Sequence, residues 1–281
     1  MKIGSEAHKE LFCRDFVSTH RPYDPQNFPW PELTDHHLRL LRGIPFWGEA
    51  LKVETNAGVM VTAFAKTVAD PVLREAIALQ GREEARHARL LEVMMERYGI
   101  EVERPVVTLP EQVETAFIDL GHEECLDSFF AFGFFEVAKR AQLFPEAMFT
   151  IFESILDEEA RHIVFFVNWM TYLQIQRGQG AGLLRSARSL YYYGRALNRL
   201  VGSLKSGNTN GPGFTANGAS ALGIDLTPGV FVSTCLQENE RRVNTLDARL
   251  LRPQLMPALF TGALRVLELF SPPKLRPRAT S

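Results

Sequence analysis

One pentapeptide, Glu-Glu-Ala-Arg-His, stands twice in this chain, at Glu83–His87 and again at Glu158–His162. A lone Glu-x-x-His means little in a chain with 7 histidines and 33 acidic residues. Two identical copies in matching surroundings mean more. Twelve residues separate Glu54 from Lys66, which is followed by an Asp70-Pro71 turn. The same twelve separate Asp127 from Lys139, which is followed by a Phe144-Pro145 turn. Each proline then leads to its pentapeptide. The pattern is an internal duplication, two helical hairpins related by a pseudo-twofold axis.

Helical signals dominate the rest of the chain. The duplicated region predicts helices over 46–68, 71–98, up to about 143, and 145–176. Asp70 is placed as an N-cap with proline at the first helical position, and Gly99 as a stop. Short turns within each pair make the partners antiparallel. Residues 1–45 read as a proline-rich extended arm followed by a short helix over 33–41, with Thr34 or Asp35 near its N-cap. Beyond the bundle at 46–177, residues 178–281 read as additional helices over 183–204, 228–246 and 253–270. The Gly-, Asn- and Ser-rich loop 207–223 would be mobile or serve as a lid.

Helix geometry then selects side chains. Residues three apart share a face, so Glu84 with His87, and Glu159 with His162, can each hold a metal ion. Glu54 and Glu84 are equally far from their turn, hence level. On the third helix the choice is open. Asp127 matches Glu54 in the repeat and has the same inward spacing. Glu124 lies about 60° away on the same face and is the alternative. Glu136, half a turn round, is placed toward solvent or behind the ligands.

This arrangement resembles the ferritin-like di-metal carboxylate superfamily, whose members carry a carboxylate on two helices and a Glu-x-x-His on the other two. The acidic residue before each Glu and the Arg before each His (Glu83 and Arg86, Glu158 and Arg161) are similar to its oxygenase-type members. The likeness spans about residues 46–170. It implies an all-α, ferritin-like four-helix bundle with additional C-terminal helices, binding two iron ions or manganese and iron. It departs at Asp127, where Glu is commoner.

Carboxylates and imidazoles suit iron or manganese better than Cu(I) or structural zinc. Four carboxylates nearly neutralise two divalent ions, and bridging Glu84 and Glu159 would hold them roughly 3.5–4 Å apart. Glu83 and Glu158 are placed to accept the other N–H of the facing histidines, with the two arginines balancing their charge. The expectation is a non-haem di-iron oxygenase or oxidase acting with dioxygen on a small organic substrate. An external reductase or ferredoxin would supply electrons, because no flavin or nicotinamide motif is visible. Phenylalanines at 129, 130, 132, 134 and 135 are core, some of them lining a substrate pocket. The alternatives are a ferroxidase without an organic substrate and a metal-free helical protein.

Composition excludes other classes. A net charge of −2 offers nothing global for nucleic acid or an anionic membrane. Cys13, Cys125 and Cys235 are scattered and odd in number, against a disulfide framework. No apolar leader or membrane-length run is present, so a cytoplasmic setting is expected. The proline-rich arm could mediate a homodimer.

Overall fold

The computed structural model describes residues 1–179, 190–198 and 227–270, which are all-helical and contain no strand. Helix α1 spans Glu6–Ser18 and α2 spans Asp35–Arg42, with a 3-10 turn at Pro25–Asn27 between them. Four long helices follow: α3 (Trp47–Thr67), α4 (Pro71–Tyr98), α5 (Val113–Arg140) and α6 (Glu146–Gln176). Residues 190–198 are helical, and α7 (Pro228–Val243) and α8 (Leu255–Phe270) complete the described chain. The 207–223 loop, the rest of the helix expected over 183–204, and residues 271–281 lie outside the described residues. None of the described helices is long and apolar enough to cross a membrane.

Local chemistry explains the boundaries. Asp70 Oδ1 accepts hydrogen bonds from the backbone N–H groups of Val72 (2.9 Å) and Leu73 (3.1 Å), capping α4 behind Pro71. Gly99 ends α4 at φ +62°, a left-handed conformation that suits glycine. Thr34 caps α2. The extended-arm reading of residues 1–31 needs correction: Ser5 caps a helix over residues 6–18. Its buried side chains His8, Phe12, Cys13 and Phe16 form one stripe, but thirteen residues with a charged opposite face give a weak periodic signal beside the prolines that follow. Around the 3-10 turn those prolines do form irregular chain, packed against the rest of the same molecule. Trp30 Nε1 donates to Pro25 O, and Tyr98 O–H to Pro31 O.

The two hairpins are packed differently. Helices α3 and α4 approach closely through small residues. A Cβ on Gly58 would sit 3.0 Å from the Ala85 backbone nitrogen, and one on Gly81 would sit 2.9 Å from that of Thr62. Helices α5 and α6 meet through rings: Phe117 against Trp169 (4.9 Å), Phe135 against Phe149 (5.4 Å), and Phe166 on Gly121. These contacts fix the register of each pair. Gly58 opposite Ala85 would, in an exact repeat, place Ala131 opposite Ala160 and residue 125 opposite Phe166. Phe166 instead faces Gly121, so the second hairpin is displaced by about four residues, roughly one turn or ~6 Å.

Three apolar clusters hold the described helices together, and two of them flank the acidic and histidine side chains. One gathers Phe12, Phe64, Phe117 and Trp169, and the other gathers Trp30, Leu51, Leu90 and Met148. On α3, Leu51 belongs to the second cluster and Met60 to the first, and Glu54 falls between them. On α4, Leu79 and Ala88 belong to different clusters, and Glu83, Glu84 and His87 lie in the gap. Helix α7 docks on α5, with Cys235 against Gly133. Its Arg242, 1% exposed, pairs with Asp157 (3.0 Å) and Glu153 (2.9 Å).

Candidate metal centre

Five of the six inward ligand candidates, Glu54, Glu84, His87, Glu159 and His162, converge between α3, α4, α5 and α6, together with the alternative Glu124. Glu54, Glu84, His87 and Glu159 offer atoms all within 4.8 Å of one another, and so do Glu84, Glu124 and His162. This buried group of carboxylates and imidazoles could hold a metal ion. Its symmetry is visible atom by atom. Glu84 places Oε2 3.6 Å from His87 Nδ1 and Oε1 3.1 Å from His162 Nδ1. Glu159 places Oε1 3.2 Å from His87 Nδ1 and Oε2 3.8 Å from His162 Nδ1. Each of these carboxylates therefore gives one oxygen to each histidine. Glu54 Oε2 lies 3.4 Å from His87 Nδ1 on the outer side.

On α5 the residue brought into the group is Glu124, and Asp127 belongs to neither set. The register displacement is the reason. Stepping three residues from Gly121 and Phe166 puts Glu124 level with Ile163, beside His162, much as Glu54 is level with the end of its own pentapeptide. Asp127 is left near Glu159 and Glu123, and burial together with those charges pushes its carboxyl up to about 7. Glu136 points outward and pairs with Arg140 at 2.6 Å.

Behind the histidines lies a second reciprocal layer. His87 Nε2 is 2.9 Å from Glu158 Oε2, and His162 Nε2 is 2.9 Å from Glu83 Oε2. A carboxylate only accepts, so each Nε2 carries a proton, and in the neutral imidazole that a metal ion requires each Nδ1 would turn its lone pair to the centre. Arg161 Nη1 donates to Glu83 at 2.8 Å, and Arg86 donates to Glu158. Every one of these contacts crosses from one pentapeptide to the other. The segment after α1 closes the layer. His20 Nδ1 meets Glu83 at 2.5 Å, and Tyr23 O–H donates to Glu158 at 3.2 Å. Phe16 and Tyr23 stack under the Arg161 and Arg86 guanidinium groups at 4.5 and 4.0 Å. Sequence reasoning missed His20 and Tyr23, since nothing local distinguishes them.

The electrostatics follow from burial among charges. Burial alone would push both imidazoles down, but the surrounding carboxylates hold His87 and His162 well above the usual histidine value. Burial would raise Glu83, yet His162 and Arg161 bring it down to about 2. Glu84 and Glu159 are likewise held low against burial, chiefly by the two histidines. Glu54 is pushed up to about 7 by burial, which its His87 contact only partly offsets. Burial and the Glu84 and Glu159 charges drive Glu124 well above the carboxylate range.

The donor set fits a cation on a separate ground. Both Nδ1 atoms and Glu124 Oε2 are buried without a hydrogen-bond partner, although carboxylate oxygens stand 3.1–3.8 Å from the imidazoles. Such groups are costly unless something satisfies them, and they face one shared space. Comparison of the chain with protein-family models, with curated proteins and with solved structures finds no match.

Proposed function

We propose that the chain is a ferritin-like, dinuclear metal oxidoreductase that uses dioxygen to oxidise a small organic molecule. The observation that carries this reading is the double span of Glu84 and Glu159, each with one oxygen toward His87 and one toward His162, residues that would hold the ions. Glu54 completes the His87 half and Glu124 the His162 half. Four carboxylates and two imidazoles favour iron, or manganese with iron, and leave two divalent ions close to neutral in a buried site. When bound, such a pair supplies electrons to dioxygen.

The chain's own groups do the rest. Glu83 and Glu158 fix the histidine tautomers, and Arg86 and Arg161 neutralise them, so the imidazoles do not rotate away. The apolar clusters on either side exclude water. Insertion of one oxygen atom into a substrate consumes four electrons, two from the substrate and two from an external reductase or ferredoxin, with the second oxygen leaving as water. A ferroxidase is served less well: the opening at Glu54 is walled by apolar side chains, a poor route for a hydrated ion.

Anaerobic titration with Fe(II) tests the reading. The expected uptake is two ions per chain, followed by oxygen consumption when air is admitted. Fewer than about 0.2 ions per chain after loading, or oxidation no faster than free Fe(II), refutes it.

A further inference from the structure

Glu54 faces the metal group on one side and a cavity of about 200 Å³ on the other. The cavity is walled by α3, α5 and α6 and by Leu91 of α4, with α2 and the turn after it along one edge. Ala131, Phe134, Phe135, Phe149 and Phe152 line it, and Glu54 is the one ionisable side chain among the lining residues. Its other polar atoms are spent. Trp47 Nε1 donates to Leu41 O at 2.8 Å, and the Met148 sulfur lies 3.5 Å from the Tyr98 hydroxyl, whose proton goes to Pro31 O. A ligand here meets carbon, ring edges and a single carboxylate.

Those walls decide what fits. An anion would have no donor to meet it and would face the Glu54 charge, so its desolvation would go uncompensated. A cation would find only Glu54, whose charge the centre uses. An apolar cavity of ~150 Å³ in another protein takes benzene, so a slightly larger one accommodates a ring with a short substituent. The edge-to-face pair of Phe135 and Phe149, with ring centroids 5.4 Å apart, suits an aromatic guest.

We infer that this cavity is the substrate site of the dinuclear centre and selects a small, uncharged, apolar molecule, about a benzene ring with a two-carbon substituent, held with one end at Glu54. This rests on the dinuclear reading above.

The test uses full-length protein loaded with manganese, its metal content measured first. Ethylbenzene, benzoate and benzylamine, matched in size, are titrated by calorimetry and by thermal unfolding. Ethylbenzene is expected to bind and to raise the melting temperature, with both charged probes at least tenfold weaker. Ala131→Phe, which fills the cavity, weakens ethylbenzene at least tenfold at unchanged manganese content. Should that variant fail to fold, Phe134→Ala, which enlarges the same space, admits naphthalene where the parent protein does not. The proposal is overturned by absent ethylbenzene binding, by a charged probe binding as tightly, or by folded variants that alter neither affinity. Titrating the metal-free protein as well separates the two ideas. Manganese uptake without ethylbenzene binding refutes the cavity assignment alone. Ethylbenzene binding without manganese uptake refutes the dinuclear reading, and with it the role of the cavity as a substrate site.

Discussion

Glu124→Gln and Asp127→Asn, made side by side, decide which α5 carboxylate serves the centre. Glu124 shares a 4.8 Å cluster with Glu84 and His162. On the dinuclear reading, four carboxylates, Glu54, Glu84, Glu124 and Glu159, would balance two divalent ions, so Glu124→Gln would leave one uncompensated positive charge in a buried site. Two unit charges no more than 4.8 Å apart interact by at least about 3.5 kcal/mol at an effective dielectric constant of ~20. That corresponds to two to three orders of magnitude in affinity. The loss falls on the half built around His162, because Glu54 and His87 hold the other half. Calorimetric titration with Mn(II) should show two ions per chain in the parent protein and in Asp127→Asn, and one tight ion in Glu124→Gln. The reverse result, with Asp127→Asn losing an ion and Glu124→Gln keeping both, would refute the register argument for the second hairpin.

Four further outcomes are expected. Glu158→Gln removes the charged acceptor of His87 Nε2 and the partner of Arg86, so metal affinity should fall roughly 10–100-fold in a competition assay with a chromogenic chelator, and an unchanged affinity would argue against the reciprocal layer. Mn(II) at 100 times its dissociation constant should stabilise the fold by ~2.7 kcal/mol, read as a higher melting temperature that a chelator reverses; coincident melts would count against native-state binding. Gly133→Ala puts a Cβ 2.9 Å from the Cys235 backbone and should cost about 1–3 kcal/mol by urea unfolding; Gly194→Ala, with nothing within 4 Å, should cost nothing, and equal costs would dismiss the close α5–α7 approach. His8, fully buried, accepts from Gly4 N–H and donates to Asn168, and burial lowers its pKa. The unfolded chain therefore binds a proton that the folded chain refuses. Stability should be full above pH ~6.5 and decline below it by at most ~1.4 kcal/mol per pH unit, a slope that His8→Gln should reduce.

The hairpins were legible because their evidence is local. Caps, prolines and an exact pentapeptide repeat are readable one residue at a time, and Glu84, His87, Glu159 and His162 follow from helix spacing alone. The third-helix carboxylate was not legible in the same way. Equal counting from the turns assumes that both pairs share one register, whereas Phe166 seated on Gly121 displaces the second pair by about a turn relative to Gly58 on Ala85. A glycine facing a phenylalanine across two helices leaves no mark in the sequence. His20 and Tyr23 were hidden for a related reason. They reach Glu83 and Glu158 across 63 and 135 residues of chain, and nothing in their own neighbourhood suggests a buried acidic partner.

The reciprocity of the site ties its chemistry to completion of the fold. Neither hairpin contains a finished half-centre: His87 from the first is oriented by Glu158 from the second, and His162 from the second by Glu83 from the first. A hairpin alone would expose Glu and His to water, where i,i+3 pairs are worth only a few tenths of a kcal/mol. Once the hairpins close, Glu83, Glu84, His87, Glu158 and His162 are buried at 0–4% exposure, with the two Nδ1 atoms and Glu124 Oε2 left unpartnered. That costs free energy in the apo chain, and cation binding would recover it. The α1 segment adds the last contacts, Arg161 to Thr19 at 3.0 Å and His20 to Glu83 at 2.5 Å. It also packs Phe12 and Phe16 against Phe165. The duplicated segments therefore supply the donors, while the unduplicated N-terminal helix holds the layer that keeps them aimed.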